Sequence, residues 1–297
     1  MIFASVALQS CFTGVEGTSK ITLSKRDRAA VASRAEDQLL NAVSIPVLQD
    51  WQPGKKFRVA DEKFRLIADM GGGGTVSVGD IIFYNGASAV KGAGGGDRTK
   101  LSFLKDGAEI DYIIDRPLNE ALVSVTMADI PMLIDMDIVG EVESLLKGKT
   151  IWTRTALWYG ENMAYKKGRK FVPVVVNNVS PGNAFFPLLI EFNEARGGER
   201  GRLLMNIGNA GNESRNFGKL FLLEDPRNNY RHITDEHWSA IQRETLMQGM
   251  TKEECKLSKG NPSEVDTGHN YSNAMEIWSY PDGTTLRFVD GLLTWFN

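Results

Sequence analysis

The chain has 297 residues, more than one ordinary domain, and its 42% hydrophobic and 24% charged residues argue against a wholly disordered polymer. A formal net charge of −3 leaves no basic footprint for nucleic acid. Two cysteines and three histidines exclude a disulfide framework or a zinc finger and leave little for a His-based metal site.

Residues 1–10 form an apolar run, far shorter than the roughly 20 residues that span a bilayer. The run fits the apolar region of a signal peptide, about 7–15 residues long. No basic segment precedes it, which leaves open an upstream or a misassigned start. Leu8-Gln9-Ser10-Cys11 resembles a bacterial lipobox, with Gln9 where a small residue is usual. The resemblance implies cleavage before Cys11 and lipidation of Cys11, making residues 1–11 a lipoprotein signal remnant. Thr13 to Ser19 is small and flexible, as a tether would be. The alternative is a buried N-terminal strand with an inert cysteine. Cys255, then left unpaired, is expected in a core, since no base stands near it to make it a nucleophile.

Residues 12–50 read as the tether followed by an amphipathic helix, Ser24 to Ala42, ended by Ile45-Pro46. From Trp51 short strands follow one another, punctuated by Gly, Asp and Asn: Phe57–Val59, Lys63–Leu66, Ile81–Tyr84, Leu101–Leu104, Ile110–Ile113 and Leu122–Val125. Asp135 to Lys147 reads as a helix with Ile138, Val142, Leu145 and Leu146 on one face. The pattern then starts again at an offset of about 88–97 residues. Gly54-Lys55-Lys56-Phe57 is echoed by Gly148-Lys149-Thr150-Ile151, and Leu101-Ser102-Phe103 by the run Leu189 to Phe192. Ile110 to Asp115 is echoed by Leu203 to Gly208, and Val123–Val125 by Leu220–Leu222. This predicts two small SH3-like β-barrel modules, 51–146 and 147–230, because closure removes exposed strand edges. A single large sandwich is the alternative.

Segment 231–297 holds six Lys or Arg against ten Asp or Glu, so the acidity of the chain lies here. Thr234 caps a predicted helix running to Gln248, with Gly249 just beyond it. Thr251 and Glu254 have capping-box spacing and start a second helix, stopped by Gly260-Asn261-Pro262. Strands at 275–280, 284–289 and 292–296 follow, joined by Pro281-Asp282-Gly283 and Asp290-Gly291, which accept the positive φ of tight turns. The segment Gly249-Met250-Thr251-Lys252-Glu253-Glu254, then Gly260-Asn261-Pro262, then Trp278-Ser279-Tyr280, then Phe288-Val289-Asp290-Gly291-Leu292 resembles the SmpA/OmlA (BamE-like) domain. Cys255 stands where that family prefers valine. The resemblance implies two helices on a three-stranded antiparallel meander over residues 231–297, a unit that β-lactamase-inhibitor proteins also resemble. It implies an outer-membrane-anchored lipoprotein facing the periplasm or the cell surface, and a partner in the envelope. The whole chain resembles envelope lipoproteins of gut-type bacteria. The expected fold class is therefore α+β and β-rich.

Other motifs carry less. The runs Gly71–Gly74 and Gly92–Gly96 lack the Gly-Lys-Ser/Thr and the following helix of a phosphate loop, and read as hairpin loops. His232 and His237 are five apart, so they do not align on one helix face as metal ligands. The basic run Lys166 to Lys170 reads as a solvated hairpin tip, with acidic lipid headgroups as a second option. Trp278 and Tyr280 share a face, expected to be the core. Trp295 and Phe296 point oppositely, so one of them is a candidate partner contact and burial is the alternative. No catalytic residue, metal or cofactor is expected. The function expected is a non-enzymatic, lipid-anchored envelope protein that binds another envelope protein. The alternatives are a secreted inhibitor or ligand-binding module, and a cell-wall hydrolase, for which the sequence supplies no nucleophile, base or metal set.

Overall fold

The computed structural model describes residues 43–297, apart from 72–73, 93, 208–214 and 271–272, together with Glu36 and Leu39. Cys11, the tether and most of the Ser24–Ala42 helix lie outside the described residues; Glu36 and Leu39 are helical. The described chain is β-rich α+β, with two curled antiparallel half-barrel sheets, a third sheet and short helices. No helix among the described residues is long and apolar enough to cross a membrane.

The first sheet holds β1 (Lys56–Val59), β2 (Asp69–Met70), β3 (Ile81–Lys91), β4 (Asp97–Lys105), β5 (Ala108–Ile114) and β6 (Leu133–Asp135), ordered β2-β5-β4-β3-β1-β6. The second holds β7 (Thr150–Thr153), β8 (Leu157–Tyr159), β9 (Tyr165–Lys167), β10 (Pro173–Pro181), β11 (Leu188–Glu194), β12 (Arg200–Met205) and β13 (Phe221–Leu222), ordered β13-β7-β10-β11-β12-β8-β9. The second order repeats the first, with the β8–β9 hairpin where β2 stands. The likeness extends to single hydrogen bonds. Gly54 N–H donates to Tyr84 O and Tyr84 N–H to Lys55 O; Gly148 N–H donates to Val176 O and Val176 N–H to Lys149 O. Both Tyr84 and Val176 sit at a β-bulge, and both glycines hold a positive φ. A bulge bends its strand, so each sheet curls at the same point.

Two strands of the sequence reading are helices. Lys63–Leu66 belongs to α1 (Lys63–Ile67), and Leu122–Ser124 to α2 (Leu118–Ser124). The F-R-L alternation mimics a strand, but Phe64 alone is buried, stacked on Tyr112, while Leu66 and Ile67 are exposed. In α2, Pro117 stands at the N-cap, and Ala121 faces the core while Val123 is exposed. The echo of Val123–Val125 with β13 is therefore misplaced; β6 is the strand in the position of β13.

The helix expected at Asp135 to Lys147 is α3 (Met136–Leu146), capped by the Asp135 carboxylate, which accepts from the N–H groups of Asp137 and Ile138. Its buried Ile138, Val139, Val142 and Leu146 join the second core, with Val174, Val176, Phe192 and Phe221. Helix α4 (Phe217–Leu220) closes that core beside β13. The first core gathers Trp51, Phe57, Phe64, Tyr84 and Phe103.

The basic run Lys166–Lys170 is not a solvated tip. Lys170 is 7% exposed, its N–H donates to Gln242 O, and its ammonium donates to Ser258 O at 2.5 Å. Burial holds its pKa below the usual 10.5, against the pull of Glu244 at 3.6 Å. Arg169 pairs with the buried Glu194, and Phe171 stacks on Trp238 at 5.7 Å. The run is the dock between the second sheet and the C-terminal helices.

Those helices are α5 (Asp235–Gln242) and α6 (Lys252–Lys259). Helix α5 stops six residues short of Gln248: Glu244 takes a positive φ, and the Thr245 hydroxyl and N–H both donate back to Ala240 O. Gly249, expected just past the helix, instead donates its N–H to Leu293 O. The Thr251–Glu254 capping box is formed on both sides. The third sheet is a meander of four strands, not three: β14 (Glu264–Asn270), β15 (Asn273–Ser279), β16 (Thr285–Val289) and β17 (Leu292–Phe296). Strand β14 is polar and contains glycine, so it reads as loop. It forms because its backbone pairs with β15 at seven positions, and its charges suit an edge. Cys255 is fully buried, and burial pushes its thiol up to about 12.

Candidate functional site

The third sheet has two unlike faces. Trp278, Leu286, Phe288 and Leu293 face the helices and form a core with Trp238, Ile241 and Cys255. Antiparallel register fixes the other face. One row across the strands is Gly268, Met275, Val289 and Leu292; the next is Asp266, Ile277, Arg287 and Trp295. None of these belongs to the helix-covered core. Leu292 is 47% and Trp295 44% exposed.

Trp295 reaches this face through a bulge. Simple alternation puts Trp295 on the same side as Leu293. The register shifts between Arg287 and Phe288, however, so Leu293 opposes Phe288 and Trp295 opposes Arg287. Thr294 is the extra residue, its hydroxyl donating to Arg287 O at 3.1 Å. Phe296 falls opposite Leu286, at the rim of the core, and is 36% exposed. Both candidate contacts are thus accessible, one on the open face and one at the rim of the helix-covered face. The bulge carries no marker in the sequence.

Beneath, the inner face is braced by charge. Glu276 accepts from Lys252 and from the Trp278 indole N–H, and the lysine bond first, then the indole, hold its carboxyl below the usual range. His237 lies 3.1 Å from the buried Glu254, and His232 3.3 Å from Glu253. The two histidines meet different carboxylates, and no group of three or more potential metal ligands occurs among the described residues. The Gly92–Gly96 run turns the β3–β4 hairpin.

A second feature escaped the sequence reading. On the second sheet, Asn178, Glu191, Arg202 and Tyr159 lie in register across β10, β11, β12 and β8. The Asn178 amide donates to Glu191 at 2.9 Å, and Arg202 pairs with Glu191 at 2.7 Å. Asn193 and Arg200 form the adjacent row. Lys166 pairs with Glu199 at 2.9 Å, and Arg200 with Glu161 at 3.6 Å. Of these, all but Asn178 and Glu199 line a cavity of about 610 Å³, to which β10 contributes Asn177 instead. The contributing positions are scattered over five strands, so only the fold assembles them. No family model, curated protein or solved structure matches the chain.

Proposed function

We propose that this is a lipid-anchored envelope protein that binds another envelope protein through the open face of its C-terminal sheet. The observation that carries the reading is the apolar strip of Met275, Ile277, Val289, Leu292 and Trp295 on a sheet face opposite the helix-covered core. Aromatic anchors dominate the binding energy of such interfaces. The finer assignments are proposed with it. The strand order in which the last strand returns to pair with the first supports two SH3-like modules. Two helices packed on an antiparallel meander, with the Thr251–Glu254 capping box, support a BamE-like C-terminal unit despite its fourth strand. Cys11 is proposed as the lipid attachment site, and the outer membrane as the location.

Two variants test this. Trp295→Ala should lower recovery of the co-purifying envelope protein about thirtyfold, the equivalent of a 2 kcal/mol hot spot, with unchanged thermal unfolding. Equal recovery from Trp295→Ala and parent chains would remove the open face from the proposal. Cys11→Ala should move the protein from the membrane to the soluble fraction; a variant that stays membrane-bound overturns the anchor.

A further inference from the structure

We infer that the polar groove on the second sheet is a binding site for a neutral glycan chain, independent of the C-terminal face. Charge in the groove is already paired. Lys166, Arg200 and Arg202 are each matched by a carboxylate, Glu199, Glu161 and Glu191 respectively. Among the described residues that line the cavity, no cation lacks a carboxylate and no carboxylate lacks a cation; Arg215, over the Tyr159 ring, stands outside the lining. A charged ligand would have to break an existing pair, whereas an uncharged one need not.

The hydrogen-bonding groups of the groove suit hydroxyls. Along the cavity's row Glu191, Arg202 and Tyr159 the groups run acceptor, donor and phenol, with the Asn177 amide on the β10 side. A hydroxyl both donates and accepts, so a polyol satisfies such a row at every step. A peptide laid across the face would present fixed N–H and C=O groups, not groups that both donate and accept. Four strands at about 4.8 Å spacing make the row about 14 Å long, and the 610 Å³ volume lies within the usual range for ligand sites, about 300–1,000 Å³.

The centre of the groove is rigid. Glu191 is held from both sides, by Asn178 and Arg202. Arg202 also donates to Glu161 O, and Arg215 lies 5.7 Å over the Tyr159 ring. Glu191 and Arg202 are fixed before any ligand arrives, which lowers the ordering cost of binding.

The test uses the full chain on a printed array of neutral and acidic glycans, then calorimetric titration with the tightest neutral hit, a heparin tetrasaccharide and an uncharged hexapeptide. Saturable binding of a neutral glycan is expected, unchanged between low and high salt because no ion pair forms. Glu191→Gln should weaken it at least tenfold and, by freeing Arg202, raise retention of acidic glycans. Arg200→Ala, at a 75% exposed side chain, should weaken neutral binding without touching the fold, so the site stays testable if Glu191→Gln misfolds. Trp295→Ala should leave sugar binding unchanged, which separates this site from the partner face. The inference is overturned if no neutral glycan is retained, if only heparin or the peptide binds, or if neutral binding survives both groove variants.

Discussion

Gly168→Ala is expected to destabilise the core of the second sheet by about 3 kcal/mol, near the top of the range for overpacking. A Cβ built on Gly168 meets the Trp158 ring, with Cδ2 at 2.1 Å and Cε2 at 2.4 Å. The φ of Gly168 lies outside the left-handed region, so the cost is one of space, not backbone strain. Trp158 cannot retreat. It is fully buried, its indole N–H donates to Thr155 O at 2.9 Å, and it meets Phe192 edge to face at 5.0 Å. A Cβ on Gly201 would clash with Phe192 at 2.6 Å and Trp158 at 2.8 Å, so these two rings are confined by glycine at both positions. Gly201 also lines the groove, so the same packing holds the floor of the glycan site. Gly140→Ala is the control of opposite sign. Gly140 lies inside α3 with nothing within 4 Å of an added Cβ, and alanine there should stabilise by about 0.5–1 kcal/mol. Denaturant midpoints at constant slope measure both effects. In a cycle with Trp158→Leu, the double variant should be more stable than the sum of the single losses by over about 1 kcal/mol. Additive losses, or a Gly168→Ala cost below about 1 kcal/mol, would show that the ring has room to move.

This confinement marks where sequence reasoning ends. Strand starts such as Phe57 and Ile151 are legible because a glycine and a lysine precede an apolar alternation, and the same local pattern recurs at Gly54 and Gly148. The Thr251–Glu254 box and the Asp290-Gly291 turn are legible because their chemistry is confined to four residues or fewer. Phe64 is not, since one buried ring on a short helix leaves no period to read. Strand β14 is not, because its pairing is carried by backbone groups common to every residue. The basic run at Lys166–Lys170 misleads for a different reason. Charge predicts solvent, yet Lys170 finds its partners in Ser258 O and Glu244, 88 and 74 positions further on. The open face and the groove depend on register, and a single bulge at Thr294 decides which way Trp295 faces.

Register also places the buried ion pair that joins the first two cores, and Asp135→Ala is expected to cost about 3–5 kcal/mol, the range for breaking such a pair. Asp135 pairs across the sheet with Phe57, and its carboxylate lies 2.9 Å from the Lys55 ammonium. The side chains are 2% and 8% exposed. Lys55 also reaches Asp137 at 2.6 Å. Since Asp135 caps α3, and α3 completes the second core, its loss should lower hydrogen-exchange protection in both sheets. Asp135→Asn keeps the cap and removes only the charge, so it should cost about 1 kcal/mol less. Burial pulls the Lys55 pKa down, but hydrogen bonds to Asp137 and Asp135 outweigh it and leave the value above 10.5. The stabilising share of Lys55 is therefore present below 10.5 and lost as pH rises through the higher folded value. Asp135, more deeply buried, has its carboxyl pushed up by burial against the pull of Lys55. It takes up a proton more readily folded than unfolded, so falling pH removes no stability through this group. The alkaline limb is the informative one. The stability gap between the parent chain and Lys55→Met should close as pH rises past 10.5, and a gap independent of pH would show that packing, not charge, is what Lys55 contributes.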